Sequence, residues 1–341
     1  MEPLPEKIEN EQQLDELLSR PRKELVDFVA KLSGDILIIG AGGKIGPSLA
    51  RMAQRAIQSA GTEAKVMAVD ACKLDALRAE GIETRQLDLL DPAGLAKLPK
   101  APNVIYMAGR KFGSTGDEPT TWAVNTLLAG DVARTLGQAR VVAFSTGCVY
   151  PIMHVETGGA TEQTPPAPVG EYAMSCLGRE RAFDYASAKA GLKVVHLRLN
   201  YAVELRYGVL ADIAGRVWRG EPIDLATGFA NVIWQGDVCN IALLSLALAS
   251  SPPAALNVTG PETVSIRRLA KRFGELMGRE PVFNGSENGL GYLSNASRAA
   301  KLFGLPRVGL ERVTRWTADW IRRGGRTLDK PTHYETQDGK F

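Results

Sequence analysis

Residues 36–46 read ILIIGAGGKIG, and a helical pattern from Ser48 to Ala56 follows directly. The four apolar residues at the start, three of them β-branched, are typical of a strand buried on both faces. The glycines after them allow a tight turn, and the N-terminus of the next helix offers N–H donors to an anion. Pro47 suits the first turn of that helix, where a backbone N–H has no partner. The stretch therefore predicts a strand, a phosphate-binding turn and a helix, which together begin a Rossmann-type unit.

A second apolar strand pattern, 65–69, ends at Asp70, which lies 24 residues after Gly46. A carboxylate at this place accepts hydrogen bonds from the ribose hydroxyls of a dinucleotide and repels a 2′-phosphate. The pattern therefore predicts NAD as the cofactor in preference to NADP. Two alternatives stay open, because Asp70 would also suit the cap of a helix starting at Ala71, and Lys73 is compatible with NADP.

Strand and helix patterns alternate through most of the chain. Strand-like segments lie near 36–39, 65–69, 83–87, 103–107, 140–145, 193–198 and 255–258, with helical segments between them. Such alternation predicts an α/β fold with a doubly wound parallel sheet. Residues 10–32 precede the first strand and carry apolar residues at helical spacing, interrupted at Pro21. We expect these residues to pack on the core or on a partner.

These patterns predict four parts of the chain. The NAD-binding Rossmann domain comprises 35–200 and 229–260, and a smaller α/β lobe for the substrate comprises 201–228 and 261–325. The two therefore interleave in sequence. Residues 1–34 form an N-terminal helical extension, and 326–341 form a C-terminal tail. A chain of 341 residues is long enough for a substantial core and two lobes.

The composition argues against several classes of function. There are 41 Lys and Arg residues against 38 Asp and Glu, and a net charge of +3 gives no reason to expect binding to nucleic acid or an anionic membrane. The most apolar helical run, 241–249, is far shorter than the ~20 residues that span a bilayer. The four cysteines show no metal-binding spacing, and the N-terminus is charged. We expect a cytoplasmic protein without a metal that acts on a small molecule.

With these landmarks the chain resembles the extended short-chain dehydrogenase/reductases, the NAD-dependent epimerase/dehydratase family, over about 35–325. Gly40, Gly43 and Gly46 match the family's G-x-x-G-x-x-G turn. Residues 145–150, STGCVY, resemble its Ser-Ser-x-x-Val-Tyr stretch, and Tyr172 matches its catalytic tyrosine. The resemblance implies a Rossmann fold, a sugar-like substrate and a homodimer formed through the helices that carry Asn125 and Tyr172.

The resemblance also implies where the cofactor is bound. Asp88 corresponds to the acidic residue at the adenine ring, Ala108 and Gly109 to the strand end beside the cofactor, and Asn200 to the nicotinamide side. Asp88 would equally suit a turn. The implied cofactor-binding residues are Gly40, Gly43, Lys44, Ile45, Gly46, Asp70, Asp88, Leu89, Ala108, Gly109 and Asn200.

The implied catalytic residues are Thr146 and Tyr172, which would hold the substrate oxygen, and Asn125, which would support them. Two simpler roles stay open: Asn125 would also suit bonding to backbone within a helix, and Thr146 would also suit completing a strand end. Cys176 stands four residues after Tyr172, where the family has a lysine that lowers the pKa of the tyrosine. A thiol has no fixed positive charge, so Tyr172, with a reference pKa near ~10, would stay protonated at neutral pH unless another cation intervenes. Arg179, one turn further along the same helix face, is the candidate cation.

Cys176 itself has two interpretations. It is either a small buried thiol or a reactive one, and the first is the more common fate of a cysteine in a core. A second departure is Ala230, which occupies the place of an arginine that nucleotide-sugar enzymes of the family often use for the diphosphate. The absence of this arginine favours a free sugar, a sugar acid or another small polar substrate.

Four residues are candidates for substrate contacts. Arg110 and Lys111 follow the fourth strand at its carboxyl end, where open α/β sheets bind ligands, and they would suit a carboxylate or a solvated loop. His154 is a candidate for an alternative acid or base. Arg206 is a candidate because it begins the second lobe.

Two functions are compatible with this pattern. The first is an NAD-dependent oxidoreductase, epimerase or dehydratase that acts at a hydroxyl-bearing carbon of a sugar, sugar acid or sugar derivative by hydride transfer. The alternative is a catalytically impaired NAD-binding sensor or regulatory protein on the same scaffold, since a fold does not fix a function. The retained Thr146 and Tyr172 favour the enzyme.

Overall fold

The computed structural model describes residues 3–340. The first two residues of the predicted N-terminal extension and the last residue of the predicted tail lie outside this range. A π-helical turn, Ala123–Leu127, lies between two of the α-helices. The α-helices are α1 (Glu11–Leu18), α2 (Lys23–Val29), α3 (Gly46–Ala60), α4 (Asp75–Ala79), α5 (Pro92–Leu95), α6 (Glu118–Trp122), α7 (Leu128–Thr135), α8 (Gly170–Ala190), α9 (Val209–Arg219), α10 (Gln235–Leu244), α11 (Ile266–Met277), α12 (Ser297–Phe303) and α13 (Leu310–Arg322).

Seven of the strands form one parallel sheet in the order β12-β7-β5-β4-β1-β2-β3. The other strands form short two-stranded pairs outside it. The strands are β1 (Ile36–Ile39), β2 (Val66–Asp70), β3 (Glu83–Gln86), β4 (Asn103–Tyr106), β5 (Arg140–Thr146), β6 (Met153–His154), β7 (Lys193–Leu199), β8 (Ala202–Val203), β9 (Ile223–Asp224), β10 (Phe229–Asn231), β11 (Ile233–Trp234), β12 (Ala254–Val258), β13 (Thr263–Ser265), β14 (Phe283–Asn284) and β15 (Leu290–Gly291).

The sheet confirms the predicted doubly wound α/β fold. Each strand that the sequence predicts is present, with its ends shifted by no more than one residue. The central strand β1 is buried along its whole length, and its alternate residues face two separate apolar clusters. Ile36 and Ile38 pack with α2, α3 and α10, whereas Leu37 and Ile39 pack with α7 and α8. Helices therefore cover both faces, which explains why this strand is continuously apolar.

A further apolar cluster lies beside the sheet and brings together α1, α9, α11 and α13. Its members include Leu14 from α1, Phe273 from α11 and Trp316 from α13. We propose this cluster as the core of the smaller lobe that the sequence predicts. Ala230 and Trp234 also pack in it, although the sequence assigns both to the sheet domain.

The two N-terminal helices pack against different parts of the molecule. Helix α1 contributes Leu14 and Leu17 to the smaller cluster, while α2 contributes Leu25 and Val29 to the sheet. Pro21 lies in the break between them, as predicted. The extension thus connects the two cores. Within residues 3–340, no helix is both long and apolar enough to cross a membrane.

Candidate functional site

Two adjoining cavities open at the carboxyl ends of the central strands. The smaller has a volume of about 320 Å³ and is lined by Asp70, Asp88 and Leu89, among others. The larger has a volume of about 640 Å³ and is lined by residues that include Thr146 and Tyr172. The glycine turn after β1 borders both cavities. Together they form one elongated cleft at the edge of the sheet where α/β proteins bind ligands.

The glycine turn is shaped by close contacts on two sides. Gly40 has a φ of 87°, and a side chain there would collide with the backbone of Ala108. A side chain at Gly46 would collide with the carbonyl of Ala41. A Cβ at Gly43, in contrast, would make only an ordinary contact, 3.6 Å from the carbonyl oxygen of Gly40. The turn is therefore packed tightly against the end of β4 and leaves its backbone accessible to a ligand, as a phosphate-binding turn requires.

The two acidic residues of the smaller cavity also stabilise its walls. The Asp70 carboxylate accepts hydrogen bonds from the backbone N–H of Gly42, at 2.8 Å, and of Cys72, at 3.0 Å. No helix begins at Ala71, because α4 starts only at Asp75, so the alternative of a helix cap is wrong. Asp88 accepts a hydrogen bond from the N–H of Leu90 at 3.0 Å, which is the turn-forming role left open by the sequence. Both carboxylates nevertheless line the cavity.

Thr146 and Tyr172 meet in the larger cavity from two elements. Thr146 ends β5, and its hydroxyl accepts a hydrogen bond from the N–H of Cys148 at 3.1 Å, so it also completes the strand end. Tyr172 lies in the first turn of α8. Burial raises the pKa of Tyr172 well above its usual value, an effect opposed by the charge of Arg179 and by a hydrogen bond with Thr146. The hydroxyl of Tyr172 is therefore protonated in the protein alone.

Asn125 lies in the π-helical turn and joins two parts of the site. Its amide accepts a hydrogen bond from the N–H of Arg110 at 2.8 Å and donates one to the carbonyl of Arg110 at 2.9 Å. It also donates to the hydroxyl of Ser175 on α8 at 2.9 Å. Asn125 therefore bonds to the backbone of the loop after β4, rather than within its own helix, and links that loop to the helix of Tyr172.

Arg179 brings a buried positive charge to the same place. Its guanidinium donates to the side-chain oxygen of Asn125 at 2.7 Å and to the carbonyls of Phe144, at 2.8 Å, and Asn125, at 3.2 Å. The residue is only 6% exposed, and all three oxygens are neutral. A side chain at Gly109 would come within 2.5 Å of its Nη2 atom, so the missing Cβ makes room for it. No carboxylate in residues 3–340 forms an ion pair with this guanidinium.

Cys176 is 1% exposed and packs with Val149 and Tyr150. Burial raises the pKa of its thiol to about 11, although the charge of Arg179 acts in the opposite direction. A thiol with this pKa is neutral at physiological pH and is a poor nucleophile. The surroundings therefore favour the interpretation of Cys176 as a small buried thiol.

Lys44 extends from the glycine turn toward the smaller lobe. Its ammonium lies 2.9 Å from the ring centre of Tyr207 and 4.5 Å from that of Phe112. Burial lowers the pKa of Lys44 to about 6, and the charges of Lys111 and Lys330 lower it further. The sequence identified Lys44 as a cofactor residue but did not indicate its aromatic neighbours.

The four predicted substrate residues have different surroundings. Lys111 extends into the larger cavity, where its ammonium donates to the carbonyl of Thr332 at 3.1 Å. Arg110 lines the cavity while paired with Asp117 at 2.8 Å. Arg206 also lines it, and three ion pairs hold its guanidinium, two of them to α1.

His154 is the exception among these four. It lies in β6, which pairs with β15 and places its ring beside Gly289. It lines neither of the two cavities. The structure therefore gives no support to the prediction that His154 is an acid or base at the site.

The C-terminal tail is the main feature that the sequence analysis missed. Arg326, Leu328, Lys330 and Thr332 all line the larger cavity. The tail has no helical or strand periodicity, so the sequence provided no sign of this position. Other predicted cofactor residues line the cleft as well: Ala108 borders the smaller cavity, Ile45 and Asn200 border the larger one, and Gly109 borders both.

The sequence profile of the NAD dependent epimerase/dehydratase family matches residues 36–210. No curated protein is significantly similar in sequence to this chain. Among solved structures, a short-chain dehydrogenase/reductase superfamily protein from Agrobacterium tumefaciens with bound NAD has a TM-score of 0.71 and 18% identity over 85% of this chain and 98% of that one. The UDP-glucose 4-epimerase of Thermus thermophilus, solved with NAD, has a TM-score of 0.68 and 23% identity over 84% and 99% of the two chains.

The dTDP-glucose 4,6-dehydratase of Bacillus anthracis str. Ames, in complex with NAD, has a TM-score of 0.69 and 16% identity over 85% of this chain and 97% of that one. At these identities the structures share the fold. The matched profile covers the glycine turn, both acidic residues of the smaller cavity, Thr146 and Tyr172. The chain therefore belongs to the NAD-dependent epimerase/dehydratase family.

Proposed function

We propose that this protein is an NAD-dependent enzyme that acts at a hydroxyl-bearing carbon of a sugar, sugar acid or sugar derivative. The observation that carries the proposal is the pair Thr146 and Tyr172, hydrogen-bonded to each other in a cavity that the glycine turn also borders. Three separate elements, β5, α8 and the π-helical turn with Asn125, bring polar groups to this place. Such convergence of polar groups in a cleft is typical of an active site.

The cleft has the donors and the space that NAD requires. We propose that Asp70 and Asp88 bind its adenosine part in the smaller cavity and that the backbone at Gly42 and Gly43 binds its pyrophosphate. Asn200 would then face the nicotinamide end in the larger cavity. When bound there, NAD supplies an acceptor and donor of hydride. The carboxylate of Asp70 supports NAD over NADP, because it would repel a 2′-phosphate.

The transfer of the proton of the substrate hydroxyl depends on the protein's own side chains. We propose that Tyr172 and Thr146 bind the substrate oxygen and that Tyr172 exchanges the proton with it. A tyrosine with a raised pKa stays protonated at neutral pH and cannot accept the substrate proton, so the oxidative direction needs a nearby cation that lowers this pKa. Arg179 is that cation in our proposal, because its buried charge lowers the pKa of Tyr172. It would take over the role of the lysine that Cys176 replaces.

The proposed substrates are sugars, sugar acids and other sugar derivatives. Ala230 is buried in the smaller apolar cluster and lines neither cavity. The argument against nucleotide sugars that the sequence drew from this position therefore gains no support from the structure. Whether the reaction is a net oxidation, an epimerisation or a dehydration depends on whether reduced cofactor leaves between turnovers.

The first test is to denature the purified protein and identify any released nucleotide by mass spectrometry. Stoichiometric NAD or NADH would support a cofactor that is recycled within each turnover, as in epimerisation or dehydration. An empty protein that binds added NAD would direct the search to dehydrogenase activity, followed as NADH absorbance on free sugars and sugar acids. Failure to bind either NAD or NADP would refute the proposal.

A binding protein without catalysis is the second candidate. Two observations favour it: Cys176 provides no charge, and burial keeps the pKa of Tyr172 high. It predicts NAD binding with no turnover on any sugar, sugar acid or nucleotide sugar, in both directions of the reaction. Turnover that Tyr172→Phe abolishes would exclude it.

We also propose that the protein forms a homodimer through α7, α8 and the π-helical turn. Large apolar side chains are exposed on the π-helical turn, Leu127 at 63%, and on α8, Met174 at 43% and Tyr185 at 65%. Exposed apolar residues grouped on one side of a protein favour association. Sedimentation should show a species twice the 36.7 kDa chain mass, and Leu127→Asp with Tyr185→Asp should dissociate it. A monomer at all micromolar concentrations would contradict the proposal.

A further inference from the structure

We propose that the substrate carries a carboxylate and that Lys111 and Lys330, the second positioned by the C-terminal tail, bind it. The inference rests on the proposed function and names the substrate class for the same site, the sugar acids. It assigns the tail, residues 326–340, a direct part in substrate recognition. Three observations support it: the charge of the cavity, the grouping of its lysines, and the way the tail is anchored.

Basic side chains outnumber acidic ones on the walls of the larger cavity. Among residues 3–340, only two acidic side chains line it, Asp15 and Glu204, and both pair with Arg206, at 2.8 Å and 3.1 Å. Carboxylates outside this lining pair with Arg51, Arg110 and Arg326, so an anionic ligand would be attracted mainly by the lysines. The basic side chains that line the cavity are Lys44, Arg51, Arg110, Lys111, Arg179, Arg206, Arg326 and Lys330.

Three lysines of the cavity approach the same aromatic ring. The Nζ atoms of Lys44, Lys111 and Lys330 lie 4.5, 6.0 and 6.0 Å from the ring centre of Phe112. Burial lowers the pKa of Lys44 to about 6, and the charges of Lys111 and Lys330 lower it further. An anion bound near these lysines would favour their charged forms. The arrangement is therefore that of an anion-binding subsite.

The tail holds Lys330 in place by bonds on both of its sides. The N–H of Leu328 donates to the carbonyl of Arg206 at 2.9 Å. The N–H and hydroxyl of Thr332 donate to the carboxylate of Asp212 at 2.8 and 2.5 Å. Asp329, just before Lys330, has a φ of 48°, which turns the chain sharply. Lys330 thus belongs to an anchored segment that forms one wall of the cavity.

The pyrophosphate of NAD is the other anion that these lysines would suit. Lys44 belongs to the glycine turn and is the residue suited to that role. Lys111 differs, because its ammonium lies 5.9 Å from the ring centre of Tyr172, the residue proposed to exchange the proton. Lys111 and Lys330 share the ring of Phe112 as a neighbour. We therefore assign an anion bound by these two lysines to the substrate.

The experiment compares ligand binding by NAD-saturated protein, measured by calorimetry, for the wild type and three variants. Glucuronate and galacturonate are the acidic probes, and glucose and galactose are their neutral counterparts. We expect the uronates to bind at least about ten-fold more tightly than the hexoses, and Lys330→Met to remove that preference. Lys330→Arg should retain most of it. Lys340→Met is the matched control, because Lys340 is an exposed lysine of the same tail that pairs with Asp338.

Each other outcome has a distinct meaning. Equal binding of uronates and hexoses would overturn the inference, while NADH formation from hexoses would leave the proposed function intact. A loss of NAD affinity in Lys330→Met, measured by tryptophan fluorescence without sugar, would assign the lysine to the cofactor and also overturn the inference. Glucose 6-phosphate that binds more tightly than the uronates would overturn the carboxylate assignment. A wild type that binds no NAD would refute the proposed function itself.

Discussion

The two ends of the cleft follow the family pattern to different degrees. At the cofactor end, the glycine turn, Asp70 and Asp88 all occupy the expected places around one cavity. At the reaction end, Thr146 and Tyr172 do so, but Cys176 replaces the lysine and the buried cation is Arg179. The cofactor end depends on backbone shape, which few sequences satisfy. The reaction end depends on a charge near a hydroxyl, and such a charge can be supplied from more than one position on a helix.

The largest expected effect comes from removing one oxygen atom at the reaction end of the cleft. Tyr172→Phe removes the hydroxyl that exchanges the proton and should reduce kcat by at least about 100-fold. The dissociation constant of NAD should not change, because the cofactor end is untouched. Tyr185→Phe, an exposed position on the same helix, is the control. Near-normal turnover in Tyr172→Phe would remove this residue from its proposed role.

The second variant tests whether Arg179 provides the missing charge. Arg179→Gln should reduce turnover in the oxidative direction by about 10- to 100-fold. The guanidinium lowers the pKa of Tyr172, so its removal raises that pKa further, and the rise of the oxidative rate with pH should shift to higher pH. Arg179→Lys should restore part of the rate.

The control for this variant is Arg181→Gln on the same helix. Arg181 pairs with Asp184 at the surface, and its side chain is 60% exposed. If Arg179→Gln reduces only stability and leaves the pH profile unchanged, Arg179 is a packing residue. The reaction end would then lack the cation that the comparison assigns to it.

A third prediction concerns the cofactor end alone. Asp70→Asn keeps an oxygen that accepts from the N–H of Gly42 but removes the negative charge. The preference for NAD over NADP should therefore fall by roughly ten-fold or more, because the repulsion of a 2′-phosphate is lost. Asp75→Asn, in the exposed first turn of α4, is the control. An unchanged preference would show that Asp70 does not face the ribose.

The smallest effect is a difference in rates of thiol alkylation. Cys72 is exposed, whereas Cys148, Cys176 and Cys239 are buried. At pH 8, iodoacetamide should modify Cys72 first and Cys176 only slowly, because burial raises the pKa of Cys176 to about 11. Mass spectrometry of peptides gives the order, and urea-unfolded protein is the control. Fast modification of Cys176 in the folded protein would revive the interpretation of a reactive thiol.

The fold and the cofactor end could be predicted because they depend on short, local patterns. Most strands of the sheet are short runs rich in apolar residues, and the proposed ligand-binding residues lie at or just after their carboxyl ends. Asp70, for example, is the last residue of β2, so locating the strand also locates the carboxylate.

The rest of the site depends on contacts between distant parts of the chain. Thr332 is held by Asp212, 120 residues away, and no periodicity in the tail predicts this contact. Arg179 was a candidate from helix spacing, but its bonds to Asn125 and Phe144 come from elements 54 and 35 residues away. His154 shows the opposite case, since proximity in sequence to Tyr150 did not bring it to the cavity.

The π-helical turn that carries Asn125 has a consequence for how this protein can change. A π-turn holds one residue more than an α-helical turn and is a less favourable geometry, so deleting one residue from Ala123–Leu127 would regularise the helix. The same deletion would rotate Asn125 by about 100° and break its bonds to Arg110, Ser175 and Arg179. A selection for thermal stability alone would therefore favour a shorter helix, and a selection for activity would oppose it. Deleting one residue from this turn would therefore separate the effect on stability from the effect on activity.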